Sequence, residues 1–542
     1  MKTKKIISLL LILAMSLGLL AGCGKKRKEV VRVEELVDEK VTLTVGIPQN
    51  GKVTSYEDNA LTEWLEEQAN CEIEFHYFSN TTSEYKQQIA LLASANSEMP
   101  DIITSVEFDS FLAGDYGEDG YFLDLTDYIN AYAPNYQEAY KNGLTDQQKT
   151  YLESIISNQW DGATYGMPFV ASDAMDQLQS IMYINKEWLD TLNLPIPTTV
   201  EELRSTLKAF KEKDPNGNGQ ADEIPMIGSQ NVNAYLINAF VLYDHGDFSV
   251  TDGKVWDPVM TDEYREAVIY ANKLVQEGLY SKQSFSIKTS AEHKQYVTAP
   301  DGTCRVGVFE GHHELKTQAE PDVLDQFVAL PALSDATGKG GHTVVKPRSI
   351  YFAGFITKDC EYPANAMKLL DAFYSAEAQA RQRHGAEGVD WERAEGQTPY
   401  GTPGHIKIIN SEAYFSGNST WCNRLVLGIF DIENFIAIST DAKGRIGEAN
   451  RLQKEQWEIY TSDARVKEVA SQLVYTDEEY EVREIKLTDC QSYIANETVK
   501  FIAGENDPTN DSSWDAFLSQ IKALGREELM DITQDAYDRM YK

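Results

Sequence analysis

Alternating apolar and polar positions predict where the folded part of the chain begins. Residues 41–48 (VTLTVGIP) alternate as a half-buried strand does, and residues 71–78 (CEIEFHYF) show a second such pattern. Residues 59–68 and 83–95 carry apolar side chains at helical spacing, and the short apolar run 99–104 predicts a buried strand. The order strand, helix, strand, helix, strand is typical of a parallel α/β layer.

Further along the chain the pattern becomes more helical. Residues 122–129 lead into a turn and a helix, 161–168 (DGATYGMP) predict a hairpin turn before an extended stretch, and 182–189 (MYINKEWL) change from strand to helix. Long amphipathic helices are predicted near 199–212, 261–277 and 363–383, with several more beyond 445. The C-terminal third is therefore predicted to be mostly helical.

The first residues have the pattern of an export signal. A basic start is followed by the apolar run 6–20, which is short for a membrane span of about 20 apolar residues. The run ends in Leu20-Ala21-Gly22-Cys23, which resembles the lipobox of bacterial lipoproteins. We interpret residues 1–22 as a lipoprotein signal peptide and residues 23–40 as the lipidated N-terminus at Cys23 with a charged tether.

Composition narrows the classes of function. The 542 residues include 85 Asp and Glu against 49 Lys and Arg, a formal net charge of −36. Cleavage before Cys23 removes three lysines and makes the charge −39. A chain this acidic repels nucleic-acid phosphates, so no nucleic-acid partner is expected. The 42% hydrophobic content is that of a globular protein, and the length allows roughly three domains of about 150 residues or two large lobes.

The sequence contains no recognisable catalytic or zinc-binding motif. Besides Cys23, the five other cysteines are widely spaced and form no CxxC pair, which favours scattered core residues over a zinc or redox site. His312-His313-Glu314 has the wrong order for HExxH, and residues 417–421 lack the last glycine of GxSxG. Among 85 carboxylates, a paired-acid glycosidase site is neither located nor ruled out. We expect that the protein is not an enzyme.

One segment has the spacing of a calcium loop. In residues 214–223 (DPNGNGQADE) oxygen-bearing side chains recur at alternate positions, and Gly219 stands sixth, where an EF-hand makes its tight turn. The twelfth position is Pro225 instead of glutamate, and Glu223 offers a replacement carboxylate. The candidate ligands of a structural Ca²⁺ are Asp214, Asn216, Asn218, Gln220, Asp222 and Glu223. The alternative is a surface turn rich in Asn, Asp and Gly that binds no metal.

A family resemblance is carried by several short segments in a fixed order. They are 99–103 (MPDII), 120–126 (GYFLDLT), 161–168 (DGATYGMP), 183–189 (YINKEWL), 327–333 (FVALPAL), 353–357 (AGFIT) and the helix at 363–374. In this order they resemble the extracellular solute-binding proteins of ABC transporters, in particular the large group that includes the alginate-oligosaccharide and maltose binders. The resemblance extends over essentially the whole mature chain, and large members of that group carry a calcium loop similar to residues 214–223.

This resemblance implies an α/β fold of two lobes, like that of periplasmic binding proteins, with a hinge, a central cleft and a helix-rich C-terminal part. We expect residues 41–168 and 325–376 in lobe 1 and residues 169–324 and 377–542 in lobe 2, with chain crossings near 168–171, 325 and 376. The mechanism would be hinge closure that the ligand favours by binding the closed state more tightly.

The resemblance also implies a function. The protein would be a monomeric receptor, anchored by lipid to the extracytoplasmic face of the cell membrane, that delivers an oligosaccharide to the permease subunits of an ABC importer. Two alternatives stay open, since fold alone does not fix the ligand: a receptor for a peptide or another polar solute, and a surface glycoside hydrolase. The acidic balance argues against a strongly anionic ligand unless local Arg or Lys reverse the field.

Sugar recognition needs aromatic planes and polar side chains, which we sought in loops at strand ends. The candidates are Gln49, Asn50, Glu107, Phe108, Phe169, Ser172, Asp173, Gln230, Asn231, Glu310, His312, His313, Arg348, Trp391 and Trp421. His312 and His313 stand where the family often carries Trp, so stacking there is in doubt. Trp391 follows a glycine-bracketed loop and is the first choice, with at least a tenfold loss of affinity expected on replacement by alanine.

Overall fold

The structure, a computed structural model, describes most of the chain. The described residues are 34–170, 181–228, 234–310, 319–335, 337–345, 349–398, 402–410, 417–421, 426–430, 437–438, 451–452, 454–456, 458–460, 466–468 and 472–542. The chain divides into two compact units, 1–35 and 36–542, and the second contains every strand and helix given below. The predicted signal peptide and Cys23 lie outside the described residues.

The longest strands, of six to eight residues, are four strands of the first sheet and the two strands of one hairpin. In chain order they are β1 Val41–Pro48, β2 Cys71–Phe78, β3 Ile102–Phe108, β4 Met167–Val170, β5 Met182–Asn185, β6 Ile224–Ile227, β7 Ser249–Thr251, β8 Lys254–Trp256, β9 Val306–Glu310, β10 Phe327–Ala329, β11 Thr343–Val345, β12 Ile350–Ile356, β13 Trp391–Gln397, β14 Pro403–Ile408, β15 Gly428–Ile429 and β16 Val466–Glu468.

The longest helix, with 27 residues, lies near the C-terminus. In chain order they are α1 Ala60–Ala69, α2 Thr82–Ser94, α3 Ser110–Glu118, α4 Thr126–Tyr132, α5 Pro134–Gly143, α6 Asp146–Ser154, α7 Lys186–Leu192, α8 Val200–Glu212, α9 Ala234–Asn238, α10 Asp262–Gln276, α11 Ser290–Val297, α12 Pro321–Leu324, α13 Pro363–Ala372, α14 Ala376–His384, α15 Asp477–Ala503, α16 Asp511–Ala523 and α17 Arg526–Tyr541. A π-turn covers Ile155–Gln159, and 3₁₀ turns cover Pro258–Met260 and Lys282–Ser286.

Two sheets organise the second unit. The six-stranded sheet has the order β15-β4-β12-β3-β1-β2, and the four-stranded sheet has the order β10-β5-β9-β6. In the first sheet every strand runs in one direction except β12, which is antiparallel to both β3 and β4. In the second sheet β6 and β9 are parallel, β5 runs against β9, and β10 runs against β5. This mixed α/β architecture confirms the fold class expected from the sequence.

Strand pairing contradicts two of the predicted lobe boundaries. Phe327–Ala329 pairs with β5, so the chain is still in the second lobe beyond residue 325. Gly428–Ile429 pairs with β4, and the side-chain amide of Gln382 in α14 donates to the Leu427 carbonyl oxygen at 2.9 Å, so α14 and residues 427–429 belong with the first sheet. Short apolar segments of similar composition can join either sheet, and only the register of neighbouring strands decides between them.

The predicted elements agree closely with the observed ones where the pattern is long and flanked by capping residues. The strands predicted at 41–48 and 71–78 have the same bounds as β1 and β2 in the structure. Helix α8 begins after Thr199, which forms a capping box with Glu202. The single helix predicted over 363–383 is two helices, because Ser375 caps a second one with its hydroxyl. The turn at 161–168 is present, but the strand after it pairs with β12 and not with a preceding strand.

The C-terminal helices complete the core of the second lobe. Residues from α15, α16 and α17 pack with α8, α10 and the second sheet in one apolar cluster that includes Ile494, Phe501, Trp514 and Leu529. The start of α15 also reaches the first lobe, where the Tyr480 ring stacks on Phe111 with centroids 3.7 Å apart. Within the described residues, no helix combines the length and the apolar character that a membrane span requires.

Candidate functional site

The carboxyl ends of the first-sheet strands share one edge with the beginning of β12. Ile350 pairs with Val170 and Phe352 with Phe108, so β3 and β4 end where antiparallel β12 starts. β1 is parallel to β3 and ends at the same edge with Pro48, followed by Gln49. Ligands of open α/β sheets bind outside the carboxyl ends of their strands, which makes this edge the candidate site in the first lobe.

The second sheet has an equivalent edge. β6 ends at Ile227 opposite Phe309, and the antiparallel strand β5 begins with Met182 opposite Glu310. The chain leaves the first sheet after β4, which ends at Val170, and enters the second sheet with β5, which begins at Met182. The return from β10 to β12 also joins these two edges. Linkers between the sheets therefore attach where the candidate ligand-binding residues were predicted.

Gln49 and Asn50 are held in place by backbone hydrogen bonds at the end of β1. The Gln49 amide donates to the Phe78 carbonyl oxygen at 2.9 Å, and the Asn50 amide donates to the Tyr56 hydroxyl at 2.9 Å. The Asn50 side-chain oxygen accepts from the Lys52 amide at 3.0 Å, forming a local turn. Both residues thus lie at the candidate edge, as the sequence predicted.

Of the candidates on β3 and β4, only Glu107 is exposed. Phe108 has no exposed surface, and the centroid of its ring lies 5.1 Å from that of Phe355. Phe169 is also buried, and its ring packs edge-on against Phe430. Phe108 is therefore a core residue and not a stacking platform. Sequence reasoning missed Ser105, which has a left-handed φ of 61° within the strand and a buried hydroxyl with no hydrogen-bond partner.

Both predicted tryptophan platforms are core residues. Trp391 is 1% exposed and its indole donates to the Gly385 carbonyl oxygen at 2.8 Å. Trp421 is fully buried and donates to the Thr62 hydroxyl at 2.7 Å. Because protein atoms cover both rings, neither presents a face to a ligand in this structure. The glycine-bracketed loop that suggested Trp391 instead lets the chain turn back and begin strand β13 there.

Several predicted site residues lie outside the described residues. They are Ser172, Asp173, Gln230, Asn231, His312, His313 and Arg348. Glu310 is described and is partly buried at the end of β9. A Cβ added to Gly228, the residue that follows β6, would lie 2.7 Å from the Tyr280 hydroxyl and 3.1 Å from a Glu310 carboxylate oxygen. Gly228 and Tyr280 were not found from sequence, because their proximity to Glu310 depends on parallel pairing of distant strands.

The loop at 214–223 is folded around its own oxygen-bearing side chains. Asp214 accepts from the Gly219 amide at 3.0 Å, Asn218 accepts from the Gln220 amide at 2.7 Å, and Asp222 accepts from the Asn218 side-chain amide at 3.0 Å. Gly217 and Gly219 have φ of 68° and 74°, which favour glycine. The spacing therefore produces the tight, inward-turned loop expected from the sequence.

Two carboxylate oxygens of this loop fit the chemistry of a hard cation. One oxygen each of Asp214 and Glu223 is buried without a hydrogen-bond partner. Burial, and then the charges of Asp214 and Asp222, raise the pKa of Glu223. Among the described residues, no group of three or more His, Cys, Asp or Glu side chains is arranged to hold a metal, so a cation here would also need amide and backbone oxygens.

Comparison with known proteins finds one matching family and several relatives. Residues 49–380 match the family model described as bacterial extracellular solute-binding protein. The chain is 28% identical over 305 residues to the fructooligosaccharide ABC transporter substrate-binding protein FusA of Streptococcus pneumoniae serotype 4, covering 53% of this chain and 54% of FusA. It is 24% identical over 405 residues to the polygalacturonan/rhamnogalacturonan-binding protein YtcQ of Bacillus subtilis, covering 73% and 75% of the two chains.

A third relative, lipoprotein LipO of Bacillus subtilis, is 26% identical over 294 residues, which cover 51% of this chain and 54% of LipO. The alignments thus span about half the length of FusA and LipO. Among solved structures, a human-milk-oligosaccharide-binding ABC-transporter-associated protein from Bifidobacterium longum infantis superposes with a TM-score of 0.73 at 22% identity, covering 93% of this chain and 99% of that one. The alginate-binding protein AlgQ2 gives 0.66 at 18% identity, covering 93% and 99%. These likenesses show the two-lobed α/β fold.

Proposed function

Since this chain belongs to the bacterial extracellular solute-binding proteins, we propose that it is a receptor that captures an oligosaccharide between its two lobes and delivers it to an ABC importer. The observation that carries the proposal is the arrangement of the strand ends: linkers between the sheets attach at the edges where Gln49, Asn50, Glu107 and Glu310 lie. A ligand held at both edges favours a closed arrangement by contacting both lobes.

The chemistry of these edges supports a hydroxyl-rich ligand. Amide side chains at Gln49 and Asn50 and carboxylates at Glu107 and Glu310 offer donors and acceptors for sugar hydroxyls. FusA is named for fructooligosaccharides and YtcQ for polygalacturonan and rhamnogalacturonan, so oligosaccharides are the first class to test. We assign the protein no catalytic role, so it would release its ligand chemically unchanged.

Location follows from the predicted lipid anchor. The Leu20–Cys23 sequence supports cleavage before Cys23 and attachment of lipid to its sulfur, which would hold the receptor at the extracytoplasmic membrane surface. The relative LipO is named as a lipoprotein. From this position the receptor would meet the importer's permease subunits.

Calorimetry against defined oligosaccharides tests the receptor proposal. Purified mature protein is titrated with fructooligosaccharides, neutral milk oligosaccharides, galacturonate oligomers and short peptides, and each mixture is then analysed for products. We expect tight binding of at least one oligosaccharide, a higher melting temperature and no product. Binding of peptides alone would contradict the choice of ligand, and hydrolysis of any glycan would contradict the receptor function itself.

The loop at 214–223 is proposed to bind a structural Ca²⁺ through Asp214, Asn216, Asn218, Gln220, Asp222 and Glu223. The bound ion would neutralise the crowded carboxylates ahead of β6. Removing Ca²⁺ with a chelator is expected to lower the melting temperature, since an ion at 100 times its Kd stabilises by about 2.7 kcal/mol. The Asp214→Ala variant should melt near the chelated wild type and no longer respond to chelator. An identical wild-type melting curve with Ca²⁺ and with chelator would contradict the site.

A further inference from the structure

A row of aromatic rings ends beside β2, the last strand of the six-stranded sheet. Phe75 and Tyr77 stand two residues apart on one face of this strand, and their rings are nearly parallel with centroids 6.0 Å apart. The Tyr56 ring is tilted against both, at 5.5 and 5.4 Å. Phe75 also packs edge-on against the fully buried Trp421, at 5.3 Å. The rings therefore form a continuous row from the core of the first lobe to its surface.

Tyr77 is the exposed end of this row. Its exposed fraction is 37%, whereas that of Tyr56 is 3%. Exposure also rises along this face of β2: Cys71 and Ile73 are buried, Phe75 is partly buried and Tyr77 is exposed. Part of the Tyr77 ring is thus available to a molecule at the surface, while its neighbours hold it from behind.

A hydrogen bond to Glu57 fixes the orientation of the Tyr77 ring. The Tyr77 hydroxyl donates to one carboxylate oxygen of Glu57 at 2.6 Å, and the Ser55 hydroxyl donates to the other at 3.3 Å. The bond from Tyr77 is the largest cause that lowers the pKa of Glu57, so this carboxyl is an anion at neutral pH. A carboxylate offers about four acceptor positions, so Glu57 can accept a further hydrogen bond. We call Tyr77 and Glu57 the rim pair.

The rim pair is continuous with the candidate residues at the end of β1. Pro48 and Phe78 pair where β1 and β2 end, one position beyond Tyr77. The Asn50 amide donates to the Tyr56 hydroxyl at 2.9 Å, and this hydroxyl donates to the Pro48 carbonyl oxygen at 3.1 Å. Tyr56 thus connects the turn at Asn50 to the ring of Tyr77. The rim pair therefore extends the candidate site along the same edge of the sheet.

The rim pair lies far from the linkers between the sheets. Two linkers attach at β4 and β12, and β2 is the third strand beyond β12 in the sheet. Neighbouring strands are about 4.8 Å apart, so β2 lies roughly 14 Å from β12 across the sheet. A ligand that reaches from the linker strands to Tyr77 is longer than a single sugar ring. The position of the rim pair therefore suits the outer end of a chain of sugars.

The two groups of the rim pair match the two kinds of surface on a sugar ring. An aromatic ring covers the apolar C–H face of a sugar, and a carboxylate accepts charge-assisted hydrogen bonds from its hydroxyls. Tyr77 and Glu57 present these groups side by side, and their mutual hydrogen bond keeps both in place before a ligand arrives. Binding then costs little further ordering of these side chains.

We propose that the rim pair is an outer sugar subsite of the first lobe, in which the Tyr77 ring stacks on a sugar and Glu57 orients that ring and accepts a hydroxyl of the same sugar. The inference rests on the proposed function and adds the length of the ligand. Because the subsite lies away from the linkers, it favours trisaccharides and longer chains over monosaccharides and disaccharides.

Calorimetry with sugars of increasing length tests the outer subsite. The mature protein is titrated with three series: sucrose, kestose and nystose; lactose, lacto-N-triose and lacto-N-tetraose; and mono- to tetragalacturonate. Wild type should bind the longer members of at least one series about tenfold more tightly than the disaccharide. Tyr77→Ala should weaken the longer members about tenfold and remove this preference for length. Binding of the disaccharide should stay unchanged, because a shorter ligand does not reach the rim pair.

Two further variants separate the ring from the carboxylate. Tyr77→Phe keeps the ring and loses the bond to Glu57, so it should weaken the longer ligands only about threefold. Glu57→Ala loses both the orienting bond and the acceptor, so it should resemble Tyr77→Ala. Tyr362→Ala is the matched control: this tyrosine also donates to a glutamate, Glu361, at 3.2 Å, but it follows the far end of β12 at the opposite edge of the sheet. It should bind like wild type, and melting curves should show all four variants folded.

Each outcome bears on a different statement. Wild-type affinity for the longer ligands in Tyr77→Ala would overturn the outer subsite while leaving an oligosaccharide receptor. An equal loss of affinity for short and long ligands would overturn the position of the subsite at the outer end. Binding of no member of the three series by the wild type would overturn the proposed function, and this inference with it.

Discussion

Replacing Arg526 with methionine is expected to lower the free energy of unfolding by about 3–5 kcal/mol. Arg526 is 1% exposed at the start of α17 and donates two hydrogen bonds to the Asp257 carboxylate, at 2.8 and 2.9 Å. Its guanidinium also lies 3.9 Å from the centroid of the Phe248 ring. The substitution leaves Asp257 buried without its cation, which costs far more than the lost packing.

Denaturant unfolding measures this loss, and Arg539→Met on the same helix is the control. Arg539 pairs with Glu479 in a partly exposed bridge, so its loss should cost roughly 1 kcal/mol or less. Combining Arg526→Met with Asp257→Leu should recover most of the stability, because the double variant buries no unpaired charge. If the Arg526→Met variant is as stable as wild type, the ion pair between Arg526 and Asp257 does not hold α17 to the second lobe.

Replacing Trp421 with alanine is expected to destabilise the first lobe by about 3–5 kcal/mol. The indole is fully buried, donates to Thr62 at 2.7 Å, and packs edge-on against Phe75 and Phe373 at 5.3 and 5.5 Å between ring centroids. It thereby ties a distant segment of the chain to α1 and β2. The change leaves a cavity that the surrounding rings cannot fill.

Trp421→Phe separates a core role from a ligand role. Phenylalanine keeps most of the packing and removes the hydrogen bond to Thr62, so a loss of about 1–2 kcal/mol in stability and unchanged ligand affinity are expected. Melting temperature and calorimetry measure the two effects on the same sample. A tenfold loss of affinity without a change in melting temperature would instead return Trp421 to the ligand-binding surface.

Local pattern in the sequence was enough to predict elements of both lobes where the periodicity is strong. Strands 41–48 and 71–78 alternate cleanly, and helices such as α8 and α10 begin at threonine caps, so their bounds follow from nearest neighbours along the chain. Gln49, Asn50 and Glu107 could be placed at a sheet edge because carboxyl ends of parallel strands lie together. The oxygen-bearing side chains that alternate along residues 214–223 could likewise be recognised from neighbouring positions in the sequence.

Contacts between distant segments decided what the sequence left open. Trp391 and Trp421 look like ligand platforms beside glycines and polar residues, yet each indole is covered by atoms from other elements. The lobe boundaries moved because β10 and β15 are only three and two residues long and their pairing partners lie far away in the chain. Gly228 comes beside Glu310 only through the parallel pairing of β6 and β9, which places Ile227 opposite Phe309.

The sequence by itself thus determined the fold class, the strands and helices with strong periodicity, and the residue chemistry of the loop at 214–223, and it predicted an export signal. Tertiary structure alone decided which aromatic rings are buried, which sheet each short strand joins, and which polar groups meet at the candidate site. The physical reason is range: helix caps and strand alternation act within a few residues, whereas burial and strand register depend on residues hundreds of positions apart.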